Sequence, residues 1–531
     1  MSAEILATLV TAVLVAALAR RFGLPSPLVL VVAGLAATAI PGLPVLLLDP
    51  EVVLFVILPP LLWSAGLESS YLGLRKNFTP IALLAVGLPL VTAAAVGLVA
   101  YYAVPQLTLS AALVLGAIVA PPDAVSATAI GRRLGLPRRL MTMLGGESLL
   151  NDATSLTAYR VALAAAVGIT ETWGHATAVF GWAVVGGVLV GVLLGRIIIA
   201  IRRRLDDPLA ESAIGLLAPF VCYLLGEQVH ASGVLAVVVA ALMLGQRATD
   251  AGYATRLQDD AVWRSVQLVL ESFAFLLIGL QLPQVVNDLT GIPTMMLVSS
   301  SAAVFATVLL TRIVWVFGTA YLTPSRPGAG RGGTRPPPAH LFVVAWAGMR
   351  GVVSLAAAFA VPLTTLSGDP FPGRSYIVFL TFVVVIGTLL LHGLTLPWII
   401  RRLDVHGDRR ADRLAIVATR TRAADAADHR LTELMMQARA SGRPMENYEA
   451  AARPLREWNR HRRDEAWAAE LEHSEDELAA APAAVYRRLR LQMLAAEREA
   501  VIAERDADRI DDETLRALTY DLDLWEATLN R

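Results

Sequence analysis

Two side chains that most chains use freely are nearly missing. One cysteine, Cys222, stands in 531 residues, which excludes an intrachain disulfide and any metal centre built from several thiolates. One lysine, Lys76, stands among 45 basic residues; we attach no function to the preference for arginine. Charge itself is scarce, at 17% of residues, and few charges interrupt the apolar runs before about Arg401. That scarcity excludes an ordinary soluble domain. With 56% hydrophobic residues and a mean hydropathy of +0.58, the composition is that of a polytopic membrane protein. No cleavable leader is expected: the first apolar run, 5–18, has no basic segment before it and no clear cleavage site after it, and reads as a retained span.

What is there is a succession of hydrophobic runs. Cut at charges, Gly/Pro pairs and polar loops, they give thirteen spans, near 4–19, 25–40, 51–67, 78–102, 109–130, 139–167, 174–200, 209–228, 231–246, 262–282, 293–322, 339–363 and 375–401. With the N-terminus outside, the loops facing inward carry eighteen basic residues, from Arg20 to Arg326, Arg331 and Arg335, and the outward loops carry only Arg374. The positive-inside rule therefore fixes the orientation and favours an odd number of spans.

Two spans carry internal breaks. Pro121-Pro122-Asp123 in the fifth removes two amide donors and biases Ala120 away from helix, with Asp123 placed to cap a new half-helix. In the twelfth, Gly348 and Gly351 flank Arg350. Unwound backbone at that depth is tolerated only inside protein or beside a watery cavity. One further span follows each break, which predicts an inverted repeat of spans 1–6 and 8–13. The expected fold is an all-α polytopic membrane protein of about 13 transmembrane helices with a helical tail. Domains are expected at 1–403, the transmembrane part, and 404–531, a cytoplasmic regulatory or oligomerisation tail. The tail alternates Arg, Glu, Asp and Ala and carries no catalytic or nucleotide motif. Neither a cofactor nor a nucleic-acid partner is expected.

The polar residues with chemistry lie in the sixth span, at Gly145-Gly146-Glu147-Ser148-Leu149-Leu150-Asn151-Asp152-Ala153-Thr154-Ser155. Ser148, Asn151, Asp152 and Ser155 share one helical face, with Glu147 at its edge. Ser and Asn alone would suit helix-to-helix glue, but an acid at mid-membrane costs ~2.5–3.5 kcal/mol and marks function. A buried carboxylate resists its bare anionic form, so Asp152 is neutral either with a proton or with a monovalent cation, and both states can cross. Asn151 adds an amide without a second titrating charge, and Asp123 is the natural partner at the break. Arg350 needs an anion, and Glu147 is the best one available if Asp152 is to stay free. Glu68 and Glu271 lie near span ends and read as solvated or snorkelling, and Glu227 with His230 flanks an outward turn.

Four motifs together resemble the monovalent cation:proton antiporters, which include prokaryotic sodium/proton antiporters with an Asn-Asp motif and the animal sodium/proton exchangers. They are Glu147-Ser148-Leu149-Leu150-Asn151-Asp152, Pro122-Asp123-Ala124-Val125, Ser232-Gly233-Val234-Leu235-Ala236-Val237 and Gly348-Met349-Arg350-Gly351, and the resemblance covers about residues 1–403. It implies a homodimer in the cell membrane, a dimerisation part (about 1–67 and 209–282), a core (about 78–167 and 293–401) and an elevator-like motion. By the same resemblance Asp152 binds the ion, Asn151 and Asp123 shape its site, and a Glu147–Arg350 pair stabilises it. Asn at 151 implies electroneutral exchange. Two positions depart from the pattern: Ser64 stands where many relatives carry an acid, and Pro121 replaces a common Thr or Asp. An intramembrane aspartyl protease would lack its Gly-x-Gly-Asp context, while a passive cation channel or cation sensor, and potassium instead of sodium, stay open as alternatives.

Overall fold

The computed structural model describes residues 2–39, 50–168, 173–205, 207–287, 289, 293–322, 337–407, 409–471, 482–507, 509 and 512–529. Arg326, Arg331 and Arg335 lie outside them. The regular structure among the described residues is helical, apart from one isolated antiparallel bridge between Thr364 and Pro370. Helix is what long apolar runs must form in hydrocarbon, where every backbone N–H and C=O has to be satisfied within the segment.

The chain divides into two compact units, Met1–Gly407 and Asp408–Arg531. The first begins with α1 (Ser2–Arg21), α2 (Ser26–Ala37), α3 (Pro50–Glu68), the short α4 (Tyr71–Lys76) and α5 (Phe78–Ala103). Next come α6 (Leu109–Val119), α7 (Ala124–Leu134), α8 (Arg138–Val167), α9 (Trp173–Arg202), α10 (Pro208–Gln228) and α11 (Gly233–Gln246). The unit closes with α12 (Tyr253–Asn287), α13 (Thr294–Leu322), α14 (Pro338–Trp346), α15 (Val352–Phe359) and α16 (Arg374–Arg402).

Six of these, α5, α9 from Thr177, α10, α12, α13 and α16, are long and apolar enough to cross a membrane. α8 has the length, at 30 residues, but carries Glu147 and Asp152 in its middle. α2, α6 and α11 are shorter apolar helices; α6, at 11 residues, rises only about 16 Å. It ends before the proline pair and α7 starts after it; α14 and α15 are separated in the same way by 347–351.

Helix packing here is close enough to need missing side chains. Where α2 meets α12, a Cβ on Gly279 would sit 2.1 Å from the Val31 carbonyl oxygen, and one on Gly34 would sit 2.3 Å from that of Leu276. Backbone contact of this kind replaces the hydrophobic drive that helices lack in lipid. α5 contains a π-turn over Leu83–Gly87, and Trp315 of α13 donates its indole N–H to the Leu83 carbonyl at 2.9 Å. α8 packs against α6 and α7, α16 against α6, α7 and α15, and both α3 and α12 reach α15.

The second unit consists of α17 (Arg409–Ala440), α18 (Met445–Leu471), α19 (Pro482–Asp506) and α20 (Asp512–Leu529), paired as α17 with α18 and α19 with α20. Asn459 ties the first pair by donating to the Ala424 carbonyl at 2.7 Å; Arg498 ties the second through Asp523 and Glu526 at 2.6 and 2.8 Å. In α19, the hydrogen bond from Arg509 holds the Glu504 carboxyl below its ordinary range. Every acid within the thirteen apolar runs lies in the first unit. If the chain exchanges ions as its motifs imply, a protein stopped after Gly407 should insert and exchange, with altered pH dependence or dimer stability. Flux measured on the truncated protein in liposomes checks this, and its absence at every pH would make the second unit part of the machine.

Candidate ion-binding site

The site begins with backbone that has lost its helix. Because α6 stops before Pro121 and Pro122, its last carbonyls have no helical amide to accept from. Buried guanidinium groups take that place. Arg350 donates Nε to the Val119 oxygen at 3.1 Å and Nη2 to that of Ala120 at 3.5 Å, while Nη1 reaches the Gly348 oxygen. Arg312 of α13 does the same for α14, with Nε on Ala345 at 3.1 Å and Nη2 on Val344 at 3.0 Å. Cations at helix C-termini also complement the helix dipole.

The two interruptions touch. The Asp123 amide donates to the Met349 carbonyl at 2.6 Å, and the Arg350 amide donates to Thr388 Oγ1 of α16 at 3.0 Å. A Cβ on Gly351 would stand 2.7 Å from Asp123 Cβ and Oδ2, so only glycine lets the segments approach this closely. Sequence spacing located both breaks; their direct contact is a finding of the structure.

α8 brings its polar face to this junction. Asn151 is fully buried and donates Nδ2 to the Pro122 carbonyl at 2.8 Å, clamping the break to the helix. Its Oδ1 is buried without a partner among the described residues. Asp152 is buried and makes no hydrogen bond or ion pair among the described residues; Asp123, half-buried, is the ionisable neighbour whose charge acts on it. One turn on, Ser155 Oγ is buried and has no partner among the described residues, as is true of Ser354 Oγ of α15, which sequence reasoning passed over. Ser148 is half-buried on the same helix. The side chain of Ser126 lies outside the described residues. A buried carboxylate free of ion pairs among the described residues, on a helix whose Asn151 and Ser155 carry buried oxygens lacking donors there, can take one small cation or one proton.

The expected Glu147–Arg350 pair is not formed. Glu147, 2% exposed, is held by Arg312, with Nη1 at 2.5 Å from Oε1 and Nη2 at 3.0 Å from Oε2. Such a two-point fork satisfies both oxygens, and Arg350 is instead spent on carbonyls. Arg312 was the residue to notice: an arginine well inside the apolar run 293–322 needs a buried anion as much as Arg350 does. Two acids at the ends of spans do have cationic partners: Glu68 meets Arg132 at 2.8 Å and Glu227 meets Arg160 at 2.7 Å. Glu227 also accepts the Gly233 amide at the start of α11. Glu271 is half-buried, with Oε1 accepting from Gln267 Nε2 at 2.6 Å.

Comparison with known proteins now decides the family. The model of the transmembrane sodium/hydrogen exchanger family matches residues 9–402. A relative in Mycobacterium tuberculosis, an uncharacterised sodium/proton exchanger, is 34% identical over 541 residues, covering 99% of this chain and 96% of its own length. The chain belongs to the sodium/hydrogen exchanger family. A sodium, potassium, lithium and rubidium/proton antiporter of Bacillus subtilis is 30% identical over 406 residues, covering 73% of this chain and 60% of that protein. The fold matches that of the sodium/proton antiporter MjNhaP1 of Methanocaldococcus jannaschii with a TM-score of 0.60 at 18% identity, over 75% of this chain and 97% of that one. As a sodium/hydrogen exchanger family member, the protein is a multi-pass membrane transporter and not an enzyme.

Proposed function

We propose that this exchanger swaps one monovalent cation, sodium first, for one proton by alternating access, with Asp152 as the carrier. The observation that carries this is the buried Asp152 carboxylate, unpaired beside the junction of the two helix interruptions. Asn151 and Asp123 shape the site, Ser148 and Ser155 offer further oxygens, and the Glu147–Arg312 pair braces it. Thirteen crossings in an inverted repeat, the N-terminus outside and the tail in the cytoplasm, suit the distribution of basic residues. A homodimer in the cell membrane, with α1–α3 and α10–α12 in a fixed part and α5–α8 and α13–α16 in a moving core, suits the same scheme. No resident cofactor is needed; the ions are substrates. Potassium is the second reading, because the Bacillus subtilis relative is named for sodium, potassium, lithium and rubidium alike. The deciding measurement is internal pH in proteoliposomes given sodium, lithium and potassium gradients in turn. Absence of cation-driven pH change would leave a channel or sensor.

Exchange should be electroneutral. Asn151 cannot titrate, Glu147 is held by Arg312, and Asp123 is fixed at the break, so Asp152 alone alternates between proton and cation. Each half-cycle then carries the same charge, and the membrane potential, worth ~2.3 kcal/mol per charge per 100 mV, gives no direct drive. Sodium/proton exchange should keep its rate under a potassium/valinomycin potential when potassium is not transported. A transport current on a solid-supported membrane would show a second titrating acid in the moving core.

A further inference from the structure

Glu271 is an acid that this scheme leaves without a task. It stands seven residues from Arg264 on α12, about 10 Å of helix rise, and so lies inward of the charged rim. It forms no ion pair among the described residues, and an unpaired carboxylate at membrane depth is costly unless a proton or cation neutralises it. Its one hydrogen bond belongs to a directed thread: Ser64 Oγ of α3 donates to Gln267 Oε1 over a long 3.5 Å, and Gln267 Nε2 donates to Glu271 Oε1 at 2.6 Å. Ser64 is buried, yet it also lines a cavity of about 540 Å³ shared with Glu68, Arg202, Asp259 and Trp263. The charged groups that act on Glu271 are Asp123 at the ion site and, toward the rim, Arg20 and Glu68. Polar groups thus run from a cavity at the end rich in arginine, through Ser64 and Gln267, to a carboxylate on which the charge of Asp123 acts.

We infer that Glu271 is a second binding site, for a proton or a monovalent cation, from which Asp152 is loaded on the cytoplasmic side. Resting on the exchange function proposed above, it adds an asymmetry to it. Glu271 sits on α12, in the fixed part, whereas Asp152 sits on α8, in the moving core. It therefore serves Asp152 only while the site faces inward, and being stationary it adds no charge to the translocated load.

The test is sodium-driven proton flux by the full-length protein in everted and right-side-out vesicles. Glu271→Gln should raise the apparent KM for sodium at the cytoplasmic face about tenfold, leaving the maximal rate and the opposite face within about twofold. The melting temperature should hold, because Gln keeps the shape and can still accept from Gln267. Cytoplasmic KM within twofold of wild type, or an equal shift at both faces, overturns the assignment. If Glu271→Gln does not reach the membrane, Gln267→Leu cuts the thread while keeping the acid. It should raise the same KM, and a wild-type value there is equally fatal. Failure of the exchange function itself would show elsewhere, as the absence of cation-driven pH change in the wild-type protein.

Discussion

Replacing Asp152 by Asn should reduce cation-driven proton flux to that of protein-free liposomes while leaving a folded, inserted protein. The amide fits the space of the carboxylate, so the packing of α8 against α6 and α7 is kept. Two properties vanish together: the charge that attracts a monovalent cation and the group that releases a proton. Neither neighbour can substitute. Asn151 is committed through Nδ2 to the Pro122 carbonyl, and Asp123 is tied by its backbone to Met349. The measurement is pH inside vesicles after a sodium jump, with size-exclusion profiles of wild type and variant as the folding control. Flux near the wild-type level in Asp152→Asn would remove Asp152 as carrier.

The second large effect concerns stability. Arg312→Ala strips Glu147 of both its donors and leaves the Val344 and Ala345 oxygens without theirs. A buried ion pair broken from one side typically costs ~3–5 kcal/mol, because the surviving charge stays desolvated. Thermal unfolding of the detergent-purified protein should show a marked loss for Arg312→Ala and for Glu147→Ala alike. The double variant, apolar at both positions, should recover part of it, as apolar replacement of a whole buried pair often does. Two single variants as stable as wild type would mean that the pair is not a brace. Arg350→Ala tests the other half of the arrangement, since it spares the pair and removes the donors to Val119, Ala120 and Gly348.

Much of this was legible in the sequence for simple reasons. Hydrophobic runs had to become helices, and each of the thirteen runs coincides with a helix or, at the two breaks, with two. Pro121-Pro122 and the glycines around Arg350 announced where helix would stop, because they act through local backbone chemistry. The partner of Glu147 was not legible. Two guanidiniums compete for one carboxylate, and which of them wins depends on where the orphaned carbonyls fall once α6, α13 and α14 are packed. Arg350, inside the break, is surrounded by such carbonyls, whereas Arg312 approaches from α13 with its fork toward Glu147. Glu271 shows both cases at once: its bond from Gln267, four residues back on α12, follows helical spacing, whereas Ser64 reaches Gln267 from α3 only through packing.

The two guanidiniums have one more consequence. The core holds Arg312 and Arg350 against Glu147, Asp123 and Asp152, two positive charges against three negative when all are ionised. A proton or a single monovalent cation on Asp152 brings that group to neutrality, while an unoccupied core keeps one uncompensated negative charge. Moving that charge through hydrocarbon is opposed by desolvation. Under the proposed mechanism an unoccupied return stroke should therefore be the slow one, and the charge inventory of the core should suppress slippage, in which a gradient runs down without work being done.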